Sequence, residues 1–147
     1  MHSFWSEIFL NRALWAAGIA VLVAQIIKVF WVLLVERRLW LRMFTEAGGM
    51  PSSHSAMVSA LATSTGIQAG WNSPLFAVAA IFAAVVMYDA AGVRRAAGMQ
   101  AEVLNKIIDD LYQGRPIRFE RLKELLGHSP VEVLAGALLG ISLAAWF

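Results

Sequence analysis

Four long runs of apolar residues divide the chain, and more polar stretches of different lengths separate them. The first run, residues 13–35, is long enough at ~1.5 Å per residue to cross the ~30 Å hydrocarbon core of a bilayer. The other three are shorter but within the range for transmembrane helices, and they cover residues 55–71, 75–91 and 131–147. This pattern predicts an all-α polytopic membrane bundle with about four transmembrane helices, in which the whole chain forms a single domain.

The first run has a second interpretation as the apolar part of a signal peptide. It is long for such a segment, and it lacks a clear cleavage site with small residues, so we expect a retained helix. The run also carries Gln25 and Lys28. A lysine at this depth either extends its side chain to the membrane surface or serves a functional site.

Between the third and fourth runs the pattern becomes that of an amphipathic helix. Its apolar positions recur at helical spacing, and polar residues occupy the positions between them. Gly114 and Pro116 end this helix, and a second short helix is predicted at 117–126. Residues 94–127 are therefore expected to form a cytoplasmic helical hairpin that lies on the membrane or packs under the bundle.

The composition indicates that lipid is the solvent. Hydrophobic residues make up 59% of the 147 residues and charged residues only 15%, and a soluble domain of this size has too little interior for so much apolar surface. The chain has no cysteine, which excludes a disulfide framework and thiolate chemistry. The net charge of +2 is small, and we expect no nucleic-acid partner.

The distribution of the cationic residues orients the bundle. Ten of the twelve Lys and Arg residues lie in two stretches, one between the first two runs and one between the last two. With four spans, both stretches lie on the same side of the membrane, and the positive-inside rule predicts that this side is cytoplasmic. Both chain termini are then expected on the opposite side.

Small residues recur at helical spacing in the last run. Gly136 and Gly140 form a small-xxx-small pattern, which is typical of close contacts between helices in membranes. The partner helix belongs either to the same chain or to a second copy, so a homodimer is one expectation.

The polar entry to the second run carries the clearest candidate chemistry. Gly48, Gly49 and Pro51 prevent a helix upstream, and Ser52 or Ser53 can cap the helix that follows. Such a helix start presents free backbone N–H groups and the positive end of the helix dipole, which favour phosphate. His54 then lies in the first turn, next to any bound anion, unless it is an incidental residue of a capped helix.

The predicted topology brings three distant polar segments to the cytoplasmic side, and Lys28 lies within reach of them. Arginine side chains suit phosphate oxygens, and one histidine can attack phosphorus while another protonates the leaving oxygen. His128 and Glu132 are four residues apart and share one helix face, so the carboxylate can orient the imidazole. The members of this predicted cluster are Lys28, residues 51–55, Asp89, Arg94, Arg95 and residues 127–132.

Each member also has an ordinary structural explanation. The arginines can anchor the membrane surface, Asp89 can pair with one of them, and Glu132 can complement a helix dipole. A metal site built from the histidines and carboxylates is disfavoured, because the neighbouring cationic side chains would repel a metal ion. We therefore expect metal-free chemistry without a cofactor.

Four stretches of the chain together carry a family resemblance, and they are Gly48–Ala56, Met87–Gly98, Gln100–Asn105 and Leu126–Pro130. They resemble the divergent type-2 phosphatidic acid phosphatase family, distant relatives of the lipid phosphate phosphatases and vanadium haloperoxidases. The resemblance covers most of the chain, and it implies an integral protein of a bacterial or plastid-type inner membrane.

The catalytic motifs of the wider superfamily match in part. The turn at 51–54 matches a Pro-Ser-Gly-His motif, with Ser53 in place of glycine. Lys28 resembles the lysine of the first motif, although the spacing to the following arginines is longer and no Arg-Pro pair follows. The third motif places an arginine and a histidine close together, whereas His128 here lies more than thirty residues after the arginines and Glu132 replaces an aspartate.

The resemblance implies a role for each matched residue. His128 would be the nucleophile, His54 the general acid, and Glu132 the acid that orients the nucleophile. The phosphate would be bound by the remaining matched residues, with Asp89 and Asn105 in support. These phosphate ligands are Lys28, Ser52, Ser53, Arg94 and Arg95.

The function predicted from this resemblance is a lipid phosphate phosphatase that hydrolyses a phosphomonoester or pyrophosphate through a phosphohistidine. Phosphatidate, phosphatidylglycerol phosphate and polyprenyl phosphates are the candidate substrates. Two other functions stay open: a non-catalytic binder or transporter of phosphorylated lipids, and a structural membrane protein whose polar cluster only fixes topology.

Overall fold

The structure, a computed structural model, describes residues 4–36, 49–111 and 128–147. Six α-helices and one π-helical segment cover most of these residues, and no strand occurs among them, which confirms the all-α prediction. The elements are α1 (Phe4–Leu10), α2 (Arg12–Glu36), α3 (Ser53–Ala69), α4 (Pro74–Tyr88), a π-helical segment (Asp89–Val93), α5 (Arg94–Leu111) and α6 (Pro130–Trp146).

Serine residues cap three of the helices. Ser52 is the N-cap of α3, Ser73 of α4 and Ser129 of α6, and each side-chain oxygen accepts a bond from a backbone N–H in the first turn. Pro74 and Pro130 follow two of these serines at the first helical position, where a missing N–H has no cost. The prediction that Ser52 or Ser53 begins a helix is confirmed, with Ser52 as the cap.

Helix α3 lies at the centre of the bundle. It packs against α2, α4 and α6, and eleven of its seventeen residues are buried. Most of those eleven are Ala, Ser, Thr or Gly, whose small side chains let the surrounding helices approach closely. The most polar of the four predicted spans is therefore shielded by the more apolar ones.

Helix α2 packs against the central helix α3 through a row of alanines. Ala16, Ala20 and Ala24 are completely or almost completely buried, and they cluster with Ala56 and Ala60 of α3. Their spacing of four residues places them on one face of the helix. Lys28 is the next residue in this series, so it faces α3 as well.

Helices α3 and α6 approach most closely at two glycines. A Cβ atom on Gly136 would lie 2.2 Å from the carbonyl oxygen of Ser52, and one on Gly140 would lie 2.1 Å from that of Ala56. Only a residue without a side chain fits at either position. The small-xxx-small pattern of the sequence thus serves a contact within the chain.

The predicted runs correspond to α2, α3, α4 and α6. In the described part of the chain, two helical stretches are long and apolar enough to cross a membrane, Arg12–Leu34 and Pro74–Asp109, and the apolar helix α6 is shorter. Helix α5 matches the first helix of the predicted hairpin. The second helix of that hairpin and the arginines at 37, 38 and 42 lie outside the described residues.

Candidate functional site

The starts of α3 and α6 meet at one end of the bundle. The backbone N–H of Ser52 donates to the carbonyl of Glu132 over 3.0 Å, and the N–H of His128 donates to the carbonyl of Ala90 over 3.1 Å. These two bonds join segments that are far apart in sequence. The cluster around them, which we call the junction site, consists of Lys28, Ser52, Ser53, His128 and Glu132.

His128 is held by Glu132 inside this junction. The residue is only 3% exposed, and its Nδ1 lies 2.8 Å from Oε2 of the carboxylate. A carboxylate at this distance favours the tautomer in which Nδ1 carries the proton and donates it. Nε2 then keeps its lone pair, as a nucleophile or a base requires.

Hydrogen bonds at the start of α6 also hold the Glu132 side chain in place. Ser129 and Glu132 form a capping box, in which the Ser129 Oγ accepts from the Glu132 N–H and the Glu132 Oε2 accepts from the Ser129 N–H, each over 3.3 Å. The same Oε2 also bonds the imidazole of His128. The start of α6 is therefore a rigid unit that includes the oriented histidine.

Lys28 contributes a buried cationic side chain. It is 4% exposed, and its Nζ donates to the Oγ of Ser53 over 3.5 Å. The side chain therefore points to the start of α3, and the role of Lys28 in a functional site stays a prediction.

The start of α3 is lined with buried hydroxyl groups. Ser52 and Ser55 are completely buried, and the Ser55 hydroxyl donates to that of Ser52 over 3.0 Å. Together with the Lys28 amine and the positive end of the α3 dipole, they form a positive, polar cluster at this helix start. The chemistry of this cluster suits an anion with several oxygen atoms, for example a phosphate.

The two histidines lie in different environments. His54 is the second residue of α3, and its side chain is exposed, whereas His128 is buried. The structure thus gives the two residues that the sequence paired as acid and nucleophile very different access to solvent.

The remaining predicted site residues follow α4. Asp89 is half-buried at the start of the π-helical segment, whose Ala90 carbonyl bonds His128. Asn105 is buried on α5. Arg94 and Arg95 are the first two residues of α5, and their side chains lie outside the described part of the structure.

One feature of the site escaped the sequence analysis. This feature is the π-helical segment, which inserts a wide turn after α4. Such turns are often found at functional sites, and no residue pattern predicts this one. The direction of Lys28 did have a signal, because the residue continues the series of alanines at spacing four. Within the described ranges, no group of three His, Asp or Glu residues is arranged to bind a metal ion.

Residues 9–143 match the Divergent PAP2 family. The chain belongs to this family. It is also 45% identical to the uncharacterized membrane protein YuiD of Bacillus subtilis (strain 168), over 93% of this chain and 94% of that protein. No solved structure matches the chain. The Divergent PAP2 match includes every residue of the junction site, and the relative agrees with the membrane character of the bundle.

Proposed function

We propose that the protein hydrolyses the phosphate ester of a membrane lipid at the junction site. The observation that carries this proposal is the buried His128, with Nδ1 2.8 Å from the Glu132 carboxylate, beside Lys28 and the start of α3. An oriented imidazole next to a phosphate-binding surface is the arrangement that nucleophilic phosphoryl transfer requires. Membership in the Divergent PAP2 family agrees with a phosphatase-related role.

The reaction has two steps. The Nε2 of His128 attacks phosphorus, the bond from phosphorus to the lipid oxygen breaks, and that oxygen takes a proton from His54. Water then attacks the phosphohistidine, the bond between phosphorus and nitrogen breaks, inorganic phosphate leaves, and the proton from water passes to His54. The exposed position of His54 suits this second role, because it gives the imidazole access to water.

The charged groups stabilise different charges that develop during phosphoryl transfer. Lys28 and the N–H groups at the start of α3 bind the phosphate oxygens on which charge accumulates. Arg94 and Arg95 begin α5 four and five residues after Ala90, and we assign them to the same phosphate. Glu132 stabilises the imidazolium character that develops on His128.

A non-catalytic lipid phosphate binder is the second candidate function. The observation in its favour is the difference in burial between the two histidines, because general acid catalysis needs His54 within hydrogen-bond distance of the leaving oxygen. A protein with the same junction site but without this alignment would bind and release the lipid unchanged.

An assay of phosphate release tests the proposal. The purified full chain is incubated in mixed micelles with phosphatidate, phosphatidylglycerol phosphate or a polyprenyl phosphate, each with and without EDTA. We expect phosphate release from at least one lipid, and we expect it to persist in EDTA because Lys28 and the arginines neutralise the substrate charge. Binding without release supports the second candidate. If the protein neither binds nor hydrolyses any of these lipids, that result contradicts both candidates.

The orientation of the site gives a separate prediction. The native chain has no cysteine, so the single substitutions Gln100→Cys in α5 and Asn72→Cys in the turn after α3 each introduce a unique thiol at an exposed position. From the distribution of arginines we expect Gln100→Cys to react with a membrane-impermeant maleimide only after the cells are permeabilised. We expect Asn72→Cys to react in intact cells. The reverse pattern would place the junction site on the outer side.

A further inference from the structure

An apolar slot opens between α4 and α6, and α3 forms its floor. Its volume is about 330 Å³. Ser59, Ala62 and Thr63 line the floor, and Ala80 and Ala83 line the wall that α4 contributes. Because all five side chains are small, the slot reaches the central helix of the bundle.

Aromatic residues close one end of the slot. Trp71 lies on Gly66, where a Cβ atom would come within 2.5 Å of the indole ring, and Phe76 packs edge-on against Trp71 with ring centroids 5.0 Å apart. Both rings line the slot, and Ile141 of α6 forms the opposite wall. An occupant that lies along the floor of the slot therefore meets Trp71 at this end.

The other end of the slot points toward the junction site. Ser59, the floor residue nearest that site, lies six residues after the start of α3, or ~9 Å along the helix axis. Its hydroxyl contacts the sulfur of Met87, two residues before the π-helical segment that bonds His128. If a molecule is held in the slot, its end nearer the junction site is thus one to two helical turns from that site.

We propose that this slot holds the hydrocarbon tail of the lipid whose phosphate binds at the junction site, and that Trp71 sets the longest tail it admits. This inference rests on the proposed function for the identity of the headgroup. The floor begins ~9 Å from the start of α3, and Gly66, under Trp71, lies ~20 Å from it. The tail therefore lies along α3, with its end at the indole ring.

The dimensions of the slot favour a hydrocarbon chain over a helix of a second copy. A volume of about 330 Å³ over the ~10 Å between Ser59 and Gly66 corresponds to a mean cross-section of roughly 30 Å². An α-helix with side chains is ~10 Å wide, which corresponds to roughly 80 Å². A single hydrocarbon chain is the component of a membrane that fits so narrow an apolar space.

Photo-crosslinking tests the occupant without requiring turnover. The probe is phosphatidate with a diazirine at the end of one acyl chain, in phosphatidylcholine vesicles that contain the full chain. We expect labelling at Trp71, Phe76 or Ile141, and we expect about tenfold weaker labelling there by phosphatidylcholine with the same tail. Labelling elsewhere, equal labelling by both lipids, or crosslinks between two copies at these residues would overturn the proposal.

A matched pair of cysteines shows whether the slot itself is needed. Ala80→Cys lies in the slot, whereas Ala84→Cys lies on the exposed side of the same helix, and each is modified with an alkyl maleimide after purification of the folded protein. We expect the modified Ala80→Cys variant to lose at least about tenfold in phosphatidate crosslinking, and the modified Ala84→Cys variant to retain it. Equal effects would overturn the slot as the tail site.

The role of Trp71 is tested by a series of tail lengths. Trp71→Ala should shift the lipid that gives the highest kcat/KM, or the strongest crosslinking, toward longer tails, whereas Trp146→Ala at the far end of α6 should leave the preference unchanged. An unchanged preference in Trp71→Ala would overturn the role of the indole ring. If wild-type protein hydrolyses no lipid but crosslinks in the slot, the phosphatase proposal fails and the tail site stands.

Discussion

Replacing His128 with alanine should reduce lipid phosphate hydrolysis by more than about 10⁴-fold and remove any phosphoenzyme, because the variant lacks the nitrogen that attacks phosphorus. The fold should persist, since the bond from the His128 backbone N–H to Ala90 and the capping box between Ser129 and Glu132 do not need the imidazole. Rates of phosphate release and trapping of labelled phosphoenzyme measure the effect. Ser142→Ala is the control on the same helix, because the exposed Ser142 hydroxyl donates to the carbonyl of Leu138 in its own helix.

The same assay separates the roles of the two histidines. His54→Ala should slow hydrolysis of a lipid phosphate by ~10²–10⁴-fold, the usual contribution of general acid catalysis. A nitrophenyl phosphate has an acidic leaving group that needs little protonation, so His54→Ala should recover much of the lost rate with it, and His128→Ala none. Equal losses on both substrates would contradict this division, and wild-type activity in His128→Ala would leave lipid binding as the better account.

Replacing Gly140 with alanine should destabilise the bundle by about 1–3 kcal/mol or more, the usual cost of overpacking. The new Cβ would lie 2.1 Å from the Ala56 carbonyl oxygen and 2.9 Å from the Ala60 nitrogen. Both neighbours are backbone atoms that no side-chain rotation can move, so α3 and α6 must separate. For a chain of this length we expect the Tm in detergent to fall by roughly 5 °C or more.

Gly18→Ala is the matched control for this substitution. Gly18 lies within α2, and a Cβ atom there would meet nothing within 4 Å. Alanine is favoured over glycine within a helix by up to ~1 kcal/mol, so this variant should be as stable as the wild type or more stable. A fall in Tm of the same size in both variants would mean that the close contact between α3 and α6 contributes little to stability.

Much of the secondary structure follows from the sequence alone. The apolar runs predict α2, α3, α4 and α6, because length and apolar content are local properties of a membrane helix. The i, i+4 spacing brings His128 and Glu132 together on one helix face. Each of these predictions depends only on residues that are near one another in the sequence.

The sequence also predicted that three polar segments lie at the same end of the bundle. That prediction came from the number of spans and the positions of the arginines. They indicate at which end of the bundle each segment lies, but they do not specify contacts between atoms. The bond from Ser52 to Glu132 and the bond from His128 to Ala90 supply those contacts. The catalytic and phosphate-binding roles of all the site residues stay predictions.

Only the tertiary structure decided which faces of the helices meet. Gly136 and Gly140 fit an intramolecular or an intermolecular contact equally well in sequence, and their approach to the carbonyls of Ser52 and Ala56 assigns them to the chain's own α3. Lys28 likewise had two options, and its place after Ala24 on the face toward α3 directs it to Ser53. The physical reason is that helical periodicity defines a face, whereas the partner of that face depends on close packing between segments far apart in the chain.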